Sequence, residues 1–524
     1  VLIVPDAGDA TDLINTALDE MGAEGGGHLV VQRASPRDPV TLSGIVQLRW
    51  SDVTLELRSP IHYTATGSLR IRGQKSEFWR GPDGPDTGTI PAVRENAFTD
   101  TEGRLVLPMR SGEGARFQVG DFLVIRGLRD LVTGTTLERQ YTEVIAIDGD
   151  DLICADPPLH AFLYDYGQAS LDGEGFNTTN VRVMRAAAIT SATIPGQYTV
   201  PVADTGYLAV GDLCFIDDQR REVDLNPDRD FDNPANMEIA RIAGISGNEI
   251  TFETALRRSY LPQWNARVTK LEAVERSHIR LGQAGWTEPQ TARVVAVQID
   301  YGAHCSIMVG EIDGSAGRIG QALRLSYSYD CHVTGGYLRG AWAHGSGEGY
   351  GATLYYATSC SVSGLRISGQ RHSILFQATT ACEAFDNEST DELITGIDTH
   401  GTACLATVIR DNRISGGARF APGVTQKAGI RIGNSAHVVS DRDTVVEGNL
   451  VSGFSLAGCA ALDVVGPARG TLLARNVLAD CAIGLRRQGN NAETANTQHI
   501  DRLDVCDNSF VRVAAPVDLV SDTS

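Results

Sequence analysis

The chain has 524 residues, a formal net charge of −20, 56 glycines and only 6% aromatic residues. The negative charge argues against nucleic acid or an anionic membrane surface as a partner. An apolar run of about 18 residues, which would suggest membrane insertion, is absent. Abundant glycine with few aromatic residues predicts a turn-rich, β-dominated protein.

A short helix is predicted within residues 9–33, because Ile14, Leu18 and Met21 recur at helical spacing. A run of three glycines at 25–27 ends the helix, and an apolar strand follows. This segment resembles the N-terminal signature of the pectate-lyase-like right-handed parallel β-helix superfamily. The resemblance implies that the helix caps the open end of a solenoid, where strand edges and core would otherwise be exposed.

Two segments further along resemble each other, since each predicts a strand followed by a hairpin. The hairpins turn at Asp148-Gly149 and at Ser246-Gly247. We therefore predict an all-β fold, a right-handed parallel β-helix with an N-terminal capping helix and two small inserted β-modules. The predicted segments are 1–30 (first strand and capping helix), 31–110 (first rungs), 111–165 (first module), 166–197 (a rung), 198–272 (second module), 273–515 (main β-helix) and 516–524 (tail).

A short phrase repeats between Cys305 and Asn508. It places a small or polar residue first, an apolar residue two later, Gly or Asn five later and an aliphatic residue seven later, with one break at Leu365. Successive copies begin 26, 29, 22, 25, 37 and 27 residues apart, a period typical of solenoids. Alternation with period two indicates strands. The first residues of the copies are Cys305, Cys331, Cys360, Cys382, Thr407, Thr444 and Thr471.

The four cysteines of this ladder are interpreted as buried free thiols that pack as small hydrophobic residues. Free thiols suggest folding in a reducing cytosol, and the first residues, Val1 to Pro5, lack the pattern of a signal peptide. The short stretch after Asn508 leaves little room for an oligomerisation segment. We expect a protein that acts outside the cell or on a virion, as a tail appendage.

Counting back from the repeated phrase assigns outward positions, where the chemistry of a β-helix is expected. Seven positions before the phrase lie Arg324, Thr353, Leu375 and His400; five before it lie Ser326, Tyr355, Gln377 and Thr402. This register starts the fifth copy at Thr407. A rival register starts it at Cys404 and places Asp398 and His400 over residues typical of a core.

The predicted catalytic cluster combines Arg371 and His372 with Asp398 and His400, about one rung apart. Arg371 would neutralise or orient a sugar carboxylate, and either histidine would transfer a proton. Asp398 would orient a histidine or act as acid or base. The pairing resembles Arg-His and Asp-x-His elements of phage tailspike β-helices. A buried, hydrogen-bonded polar cluster is the alternative.

Substrate binding is expected from residues around this cluster and from a Gly-rich stretch at 340–351 that should bulge outward. Its aromatic residues would stack on sugar rings; the alternative is a flexible loop. The expected binding residues are Arg324, Trp342, His344, Glu348, Tyr350, Tyr355 and Gln377. No cofactor is expected. A calcium loop formed by Asp228, Asp230 and Asp232 is a weaker alternative to a solvated acidic loop, because Ile239 stands at the twelfth position, where an EF-hand has Glu.

Three functions fit these features. The first is an enzyme that cleaves a bacterial or other acidic glycan, with a lyase slightly favoured over a hydrolase because cations and histidines outnumber acids at the site. The second is a phage tailspike depolymerase, able to form a homotrimer through the β-helix flanks. The third is a β-helix that binds glycan or serves adhesion without catalysis. Fold alone does not choose among them.

Overall fold

The computed structural model describes the chain except residues 6–7, 65–66, 74–97, 110, 113, 127, 130–135, 138–139, 156–181, 219–235, 265, 287–293, 316–318, 341–347, 400–403, 422, 425, 434–440, 466–467, 489–499 and 521–524. The chain divides into two compact units. Val1–Arg72 and Val274–Ser524 build the first unit, whereas Gly73–Arg220 and Asn226–Ala273 build the second.

The first unit is a parallel β-helix in which each full rung contributes strands to three faces. Face 1 contains Leu2–Val4, Gly27–Arg33, Val53–Leu57, His278–Trp286, Ser306–Asp313, His332–Thr334, Ser361–Ser363, Glu383–Phe385, Val408–Arg410, Asp441–Arg442, Val445–Glu447, Ala468–Ala474 and Ile500–Cys506. Face 2 contains Val40–Leu42, Ile61–Tyr63, the second halves of His278–Trp286 and Ser306–Asp313, Tyr337–Arg339, Arg366–Ser368, Glu388–Thr390, Arg413–Ser415, Leu450–Ser452, Val477–Ala479 and Ser509–Val511. A short pair, Val274–Glu275 with Gly302–Ala303, lies beside face 1.

Face 3 is a separate parallel sheet of 11 strands. Its strands are Ile45–Leu48, Ser68–Arg72, Val294–Asp300, Ile319–Ser326, Tyr350–Tyr355, His372–Gln377, Thr395–Thr399, Ala428–Ile432, Ala460–Val465, Ile483–Gln488 and Ala515–Val520. Side chains that point inward from the three faces form one continuous apolar core. The predicted parallel β-helix is therefore confirmed.

The repeated phrase forms two ladders of stacked side chains. Cys305, Cys331, Cys360 and Cys382 are buried free thiols, as expected. From Asn412 to Asn508, the Oδ1 atom of each asparagine accepts hydrogen bonds from the backbone N–H and the side-chain amide of the asparagine one rung earlier, at 2.8–3.0 Å. Because both amide groups of each buried asparagine are used, the ladder fixes which residues stack between rungs.

The N-terminal helix spans Thr11–Ala23, within the predicted segment. Ile14 and Leu18 are almost completely buried and belong to the same core as the rungs. The side-chain amide of Asn15 donates to the carbonyl of Ile45, and its Oδ1 accepts from the backbone N–H of Gln47, so the helix also hydrogen-bonds to the first strand of face 3. The helix covers the first rungs, as the resemblance implied.

The second unit contains one sheet whose described strand pairs are antiparallel, in the order Thr199–Pro201, Glu249–Phe252, Asn236–Ser246, Leu213–Asp218, Arg267–Leu271, Arg182–Ala188, Phe122–Arg126, Gln140–Asp148, Asp151–Cys154, Leu105–Pro108 and Phe98–Thr99. The described part of this unit also contains a small strand pair, Leu128–Arg129 with Thr136–Leu137, and 3₁₀ turns at Gly114–Arg116 and Pro262–Trp264. Both predicted hairpins form, with Gly149 and Gly247 at positive φ.

The sequence predicts two separate inserted modules with a rung of the β-helix between them. The structure differs, because Arg182–Ala188 pairs antiparallel with Phe122–Arg126 on one side and with Arg267–Leu271 on the other. This strand joins the two segments into one sheet and is not a rung of the β-helix. In the first unit, Val53–Leu57 pairs directly with His278–Trp286, so consecutive rungs are separated in sequence by the whole second unit.

Candidate functional site around His372

The register of face 3 decides where the predicted site residues lie. On faces 1 and 2, Cys382 stacks on Thr407, since Glu383 pairs with Val408 and Glu388 with Arg413. The Thr407 register of the ladder is therefore confirmed over its Cys404 rival. On face 3, however, Asp398 pairs with Leu375, which continues the column of Thr353 and Arg324.

Counting back from the repeated phrase put Asp398 in the column two residues before the one that it occupies in the structure. Arg324, Thr353 and Leu375 each precede the repeated phrase by seven residues, but Asp398 precedes Thr407 by nine. The connection from face 3 to face 1 is thus two residues longer in this rung, so counting back from the phrase assigned Asp398 to the wrong column.

Asp398 points away from the core although it is fully buried. Its neighbour Ile397 belongs to the apolar core, and alternation along the strand turns Asp398 to the other side. The same alternation applies to Thr353 between Ala352 and Leu354, which both belong to the core. The outer surface of face 3 is therefore covered at this position, because Asp398 has a relative exposure of 0%.

Asp398 and His372 form a buried pair. Nδ1 of His372 lies 3.2 Å from Oδ2 of Asp398, with side-chain exposures of 2% and 1%. Tyr350 pairs with His372 in the sheet register, and their rings meet edge to face with centroids 5.3 Å apart. Arg371 donates from Nη1 to the hydroxyl of Tyr350 at 3.1 Å. The structure thus brings together Tyr350, Arg371, His372 and Asp398, which we call the His372 cluster.

Three predicted binding residues lie on the same face but outside the contacts of this cluster. Arg324 is half-buried in the Asp398 column, three strands away (about 14 Å at ordinary strand spacing), with Nη2 3.3 Å from Oδ1 of Asp300. Tyr355 and Gln377 pair with each other in the next outward column and are half-buried. The Tyr355 hydroxyl lies 3.4 Å from Nε2 of Gln321. These residues form a polar strip beside the cluster.

The Asp398 column continues toward the C-terminus with charges of alternating sign, which sequence counting missed. Asp398 pairs with Arg431, Arg431 with Asp463 and Asp463 with Arg486. Asp463 accepts from both Nε and Nη2 of Arg486, at 3.0 and 2.8 Å, and lies 3.2 Å from Nε of Arg431. Buried charges need such pairing. Alternation of Arg and Asp in sequence would have revealed the column only if the rung lengths after residue 400 had been known.

A further buried carboxyl, Asp441, lies next to the cluster. It accepts hydrogen bonds from the Thr399 hydroxyl at 2.5 Å and from the backbone N–H groups of Cys404 and Gly433 at 2.9 Å. Burial raises the pKa of Asp441 to about 6, against the lowering effect of these donors, and the negative charge of Asp398 adds to the rise. Asp441 lies 43 residues from Asp398 in the chain, so its proximity could not be predicted from the sequence.

Several predicted residues are not part of this arrangement. Trp342, His344, His400 and the acidic residues Asp228, Asp230 and Asp232 lie outside the described residues. Glu348 and Tyr350 were expected on an outward bulge, but both are buried, with exposures of 1% and 3%. Within the described part of the chain, no group of three or more His, Cys, Asp or Glu residues is arranged to hold a metal ion.

Comparison with known proteins gives structural matches alone. No family model and no curated protein matches the chain. One similar solved structure is the Gp54 tailspike of Acinetobacter baumannii bacteriophage AP22 in complex with A. baumannii capsular saccharide. It is 9% identical in sequence, with a TM-score of 0.41, and the match covers 97% of this chain and 75% of that one. The tailspike gp49 of Pseudomonas phage LKA1 matches at 10% identity and 0.38, covering 98% and 71%.

A mutant tailspike of E. coli bacteriophage HK620 in complex with hexasaccharide matches at 11% identity and a TM-score of 0.46. All of this chain is covered, but only 63% of the HK620 chain, so the chain spans less than two thirds of that protein. In the described residues, none of the helices has the length and apolar character needed to cross a membrane.

Proposed function

We propose that the chain is a β-helix of the tailspike kind that binds a bacterial polysaccharide and cleaves it, with elimination favoured over hydrolysis. The observation that carries the proposal is the His372–Asp398 contact on the outer side of face 3, next to Arg371. A histidine oriented by a carboxylate is a common proton-transfer pair. The capping helix and the parallel rungs support membership of the pectate-lyase-like superfamily.

Each member of the cluster would have a separate part in an elimination. Arg371 would neutralise a uronate carboxylate and so make the neighbouring C–H more acidic. His372, next to Asp398, would accept that proton while the C–O bond to the glycosidic oxygen on the adjacent carbon breaks, which leaves a C=C bond. The departing oxygen would take a proton from solvent. Tyr350 would position Arg371 through the hydrogen bond from Nη1 at 3.1 Å. Half-buried Arg324, Tyr355 and Gln377 would bind further along the glycan.

Burial favours a second candidate function, glycan binding without cleavage. His372 and Asp398 are almost inaccessible, whereas Arg371 is half-buried. In the binding-only function the pair is structural, and it supports the buried Tyr350, which in turn positions the half-buried Arg371. Cleavage requires in addition that a bound glycan displaces the groups that cover His372.

The test is incubation with a panel of acidic and neutral bacterial polysaccharides. Affinity would be measured by calorimetry, and cleavage by the ultraviolet absorbance of unsaturated uronates and by reducing ends. We expect His372→Gln and Asp398→Asn to lower the cleavage rate about a hundredfold or more. His28→Gln is the matched control, because His28 is an exposed histidine 2.9 Å from Glu56.

The outcomes separate the candidates. Rates unchanged in both variants would remove the pair from the mechanism. Binding without products would favour the binding-only function, and absence of binding to every polysaccharide would contradict both. Circular dichroism of each variant first establishes that it folds. Homotrimer formation and a location on the virion are parts of the tailspike proposal, and a strict monomer in light scattering would contradict the trimer.

A further inference from the structure

A second group of polar side chains lies at the corner where face 3 passes into face 1. Nδ1 of His304 is 2.8 Å from Oδ2 of Asp330, and Nε2 of His332 is 3.4 Å from Oδ1 of the same carboxylate. His304 and Asp330 occupy the same corner position in consecutive rungs, both at positive φ. We call these three residues the corner cluster.

The corner cluster is open to solvent, unlike the His372 cluster. The side chains of His304, Asp330 and His332 are 38%, 43% and 44% exposed. A solute can therefore reach all three without any rearrangement of the protein.

The hydrogen bonds orient both imidazole rings. Nδ1 of His332 lies 2.8 Å from the Ser361 hydroxyl, so both of its nitrogens have neighbours. Nδ1 of His304 faces Asp330, which makes Nδ1 the protonated nitrogen of the neutral ring and Nε2 an acceptor. In the part of the chain that the structure describes, Nε2 of His304 has no hydrogen-bond partner. The ring of Tyr329 packs at a right angle to His304, with centroids 5.7 Å apart.

The corner cluster contributes little to the stability of the fold. An exposed ion pair contributes only about 0.2–1 kcal/mol. The following rungs place Ser359, Ala381 and Ala406 at the corner position, also at positive φ. The fold thus accepts a small uncharged side chain there, although ion pairs also stack at this corner in other rungs, Asp52 with Arg276 and Asp443 with Arg502. What distinguishes the His304–Asp330 pair is the second histidine, His332, on the same carboxylate.

We propose that the corner cluster is a second glycan-binding site that recognises sugar hydroxyls. A hydroxyl both donates and accepts, and the cluster offers an acceptor at Nε2 of His304 beside the Asp330 carboxylate and the Ser361 hydroxyl. The Tyr329 ring next to His304 supplies an apolar surface for sugar C–H groups. The inference rests on the proposed polysaccharide binding, but it assigns contacts on different rungs and at a different surface from the His372 cluster.

The experiment measures binding of the same polysaccharide panel to the full chain and to His304→Gln, Asp330→Asn and His332→Gln variants. We expect His304→Gln and Asp330→Asn each to weaken binding about tenfold, the effect of a hydrogen bond to a charged or polarised partner. The imidazole Cε1–H signals of His304 and His332, assigned with the variants, should shift in NMR spectra when glycan is added. His28→Gln should leave affinity unchanged.

Each result has one meaning. Weaker binding together with shifted signals supports the inference. If a polysaccharide binds and Arg371→Ala weakens it, while corner variants bind normally and the two histidine signals stay in place, the inference is overturned and the proposed function stands. If no polysaccharide of the panel binds, both are overturned.

Discussion

Glu392 offers the sharpest test of how the interior of this β-helix handles charge. Its carboxyl is fully buried, and Oε2 lies 3.5 Å from the Ser389 hydroxyl. The nearby Lys427 ammonium donates to the backbone carbonyls of Glu392 and Gly417, at 2.6 and 2.9 Å. Burial raises the pKa of Glu392 to about 7, and the positive charge of Lys427 offsets only part of that rise.

The raised pKa fixes the sign of the pH dependence. Between the ordinary value of 4.5 and about 7, the folded protein keeps a proton that the unfolded chain has lost. Stability therefore falls as the pH rises through this window, and the full loss is present above it. A shift of this size corresponds to about 3 kcal/mol. Glu392→Gln removes the titration, so we expect the variant to be more stable than the parent at pH 8 by up to about 3 kcal/mol.

Thermal unfolding measured by calorimetry from about pH 4 to 8 tests this expectation. For a chain of this length, the gain in stability corresponds to a rise of roughly 3 °C in the unfolding temperature at pH 8, using an average unfolding entropy per residue. The difference between variant and parent should disappear below about pH 4.5. Glu388→Gln is the matched control, because Glu388 is half exposed and should change little. A variant–parent difference that stays constant with pH, or that grows as the pH falls, would refute the reasoning.

Two further predictions concern packing between rungs. Asn449→Leu removes the side-chain hydrogen bonds of Asn449 with Asn412, with Asn476 and with backbone carbonyls, and should destabilise the protein by about 3–5 kcal/mol in urea unfolding. The control is Asn508→Leu, at the half-exposed end of the ladder, which should reduce the free energy of unfolding by about 1 kcal/mol. Equal losses in the two variants would contradict the ladder argument. Gly429→Ala would place a Cβ 2.3 Å from Cγ1 of Val451 and should cost about 1–3 kcal/mol. The control Gly244→Ala meets only a Thr251 atom at 3.9 Å, so a similar loss there would show that lost space is not the cause.

Much of the fold could be predicted because its determinants are local and periodic. The spacing of Ile14 and Leu18 identified the capping helix, and glycines after Asp148 and Ser246 identified the hairpins. The Cys, Thr and Asn positions of the repeat gave the correct stacking of Cys382 on Thr407. Side-chain stacking forces like residues into these columns, so the sequence repeats what the structure repeats.

The candidate site could be predicted only in part. Arg371, His372 and Asp398 were expected to lie about one rung apart, and the structure places His372 next to Asp398. Their burial could not be predicted, because alternation along a strand distinguishes inward-pointing from outward-pointing side chains but does not show whether an outward-pointing side chain is covered by other residues. The corner cluster was missed although His304 and Asp330 each directly precede a ladder cysteine, because only positions before the turn were counted.

The sequence by itself determined the repeating architecture: strands, capping helix and the columns of faces 1 and 2, whose turns keep a constant length. The tertiary structure alone decided the Asp398 column, because the connection after face 3 changes length from rung to rung. It also decided that Arg182–Ala188 pairs with Phe122–Arg126 and Arg267–Leu271 rather than forming a rung. Pairing partners distant in sequence and the covering of an outward face depend on contacts that local periodicity does not encode.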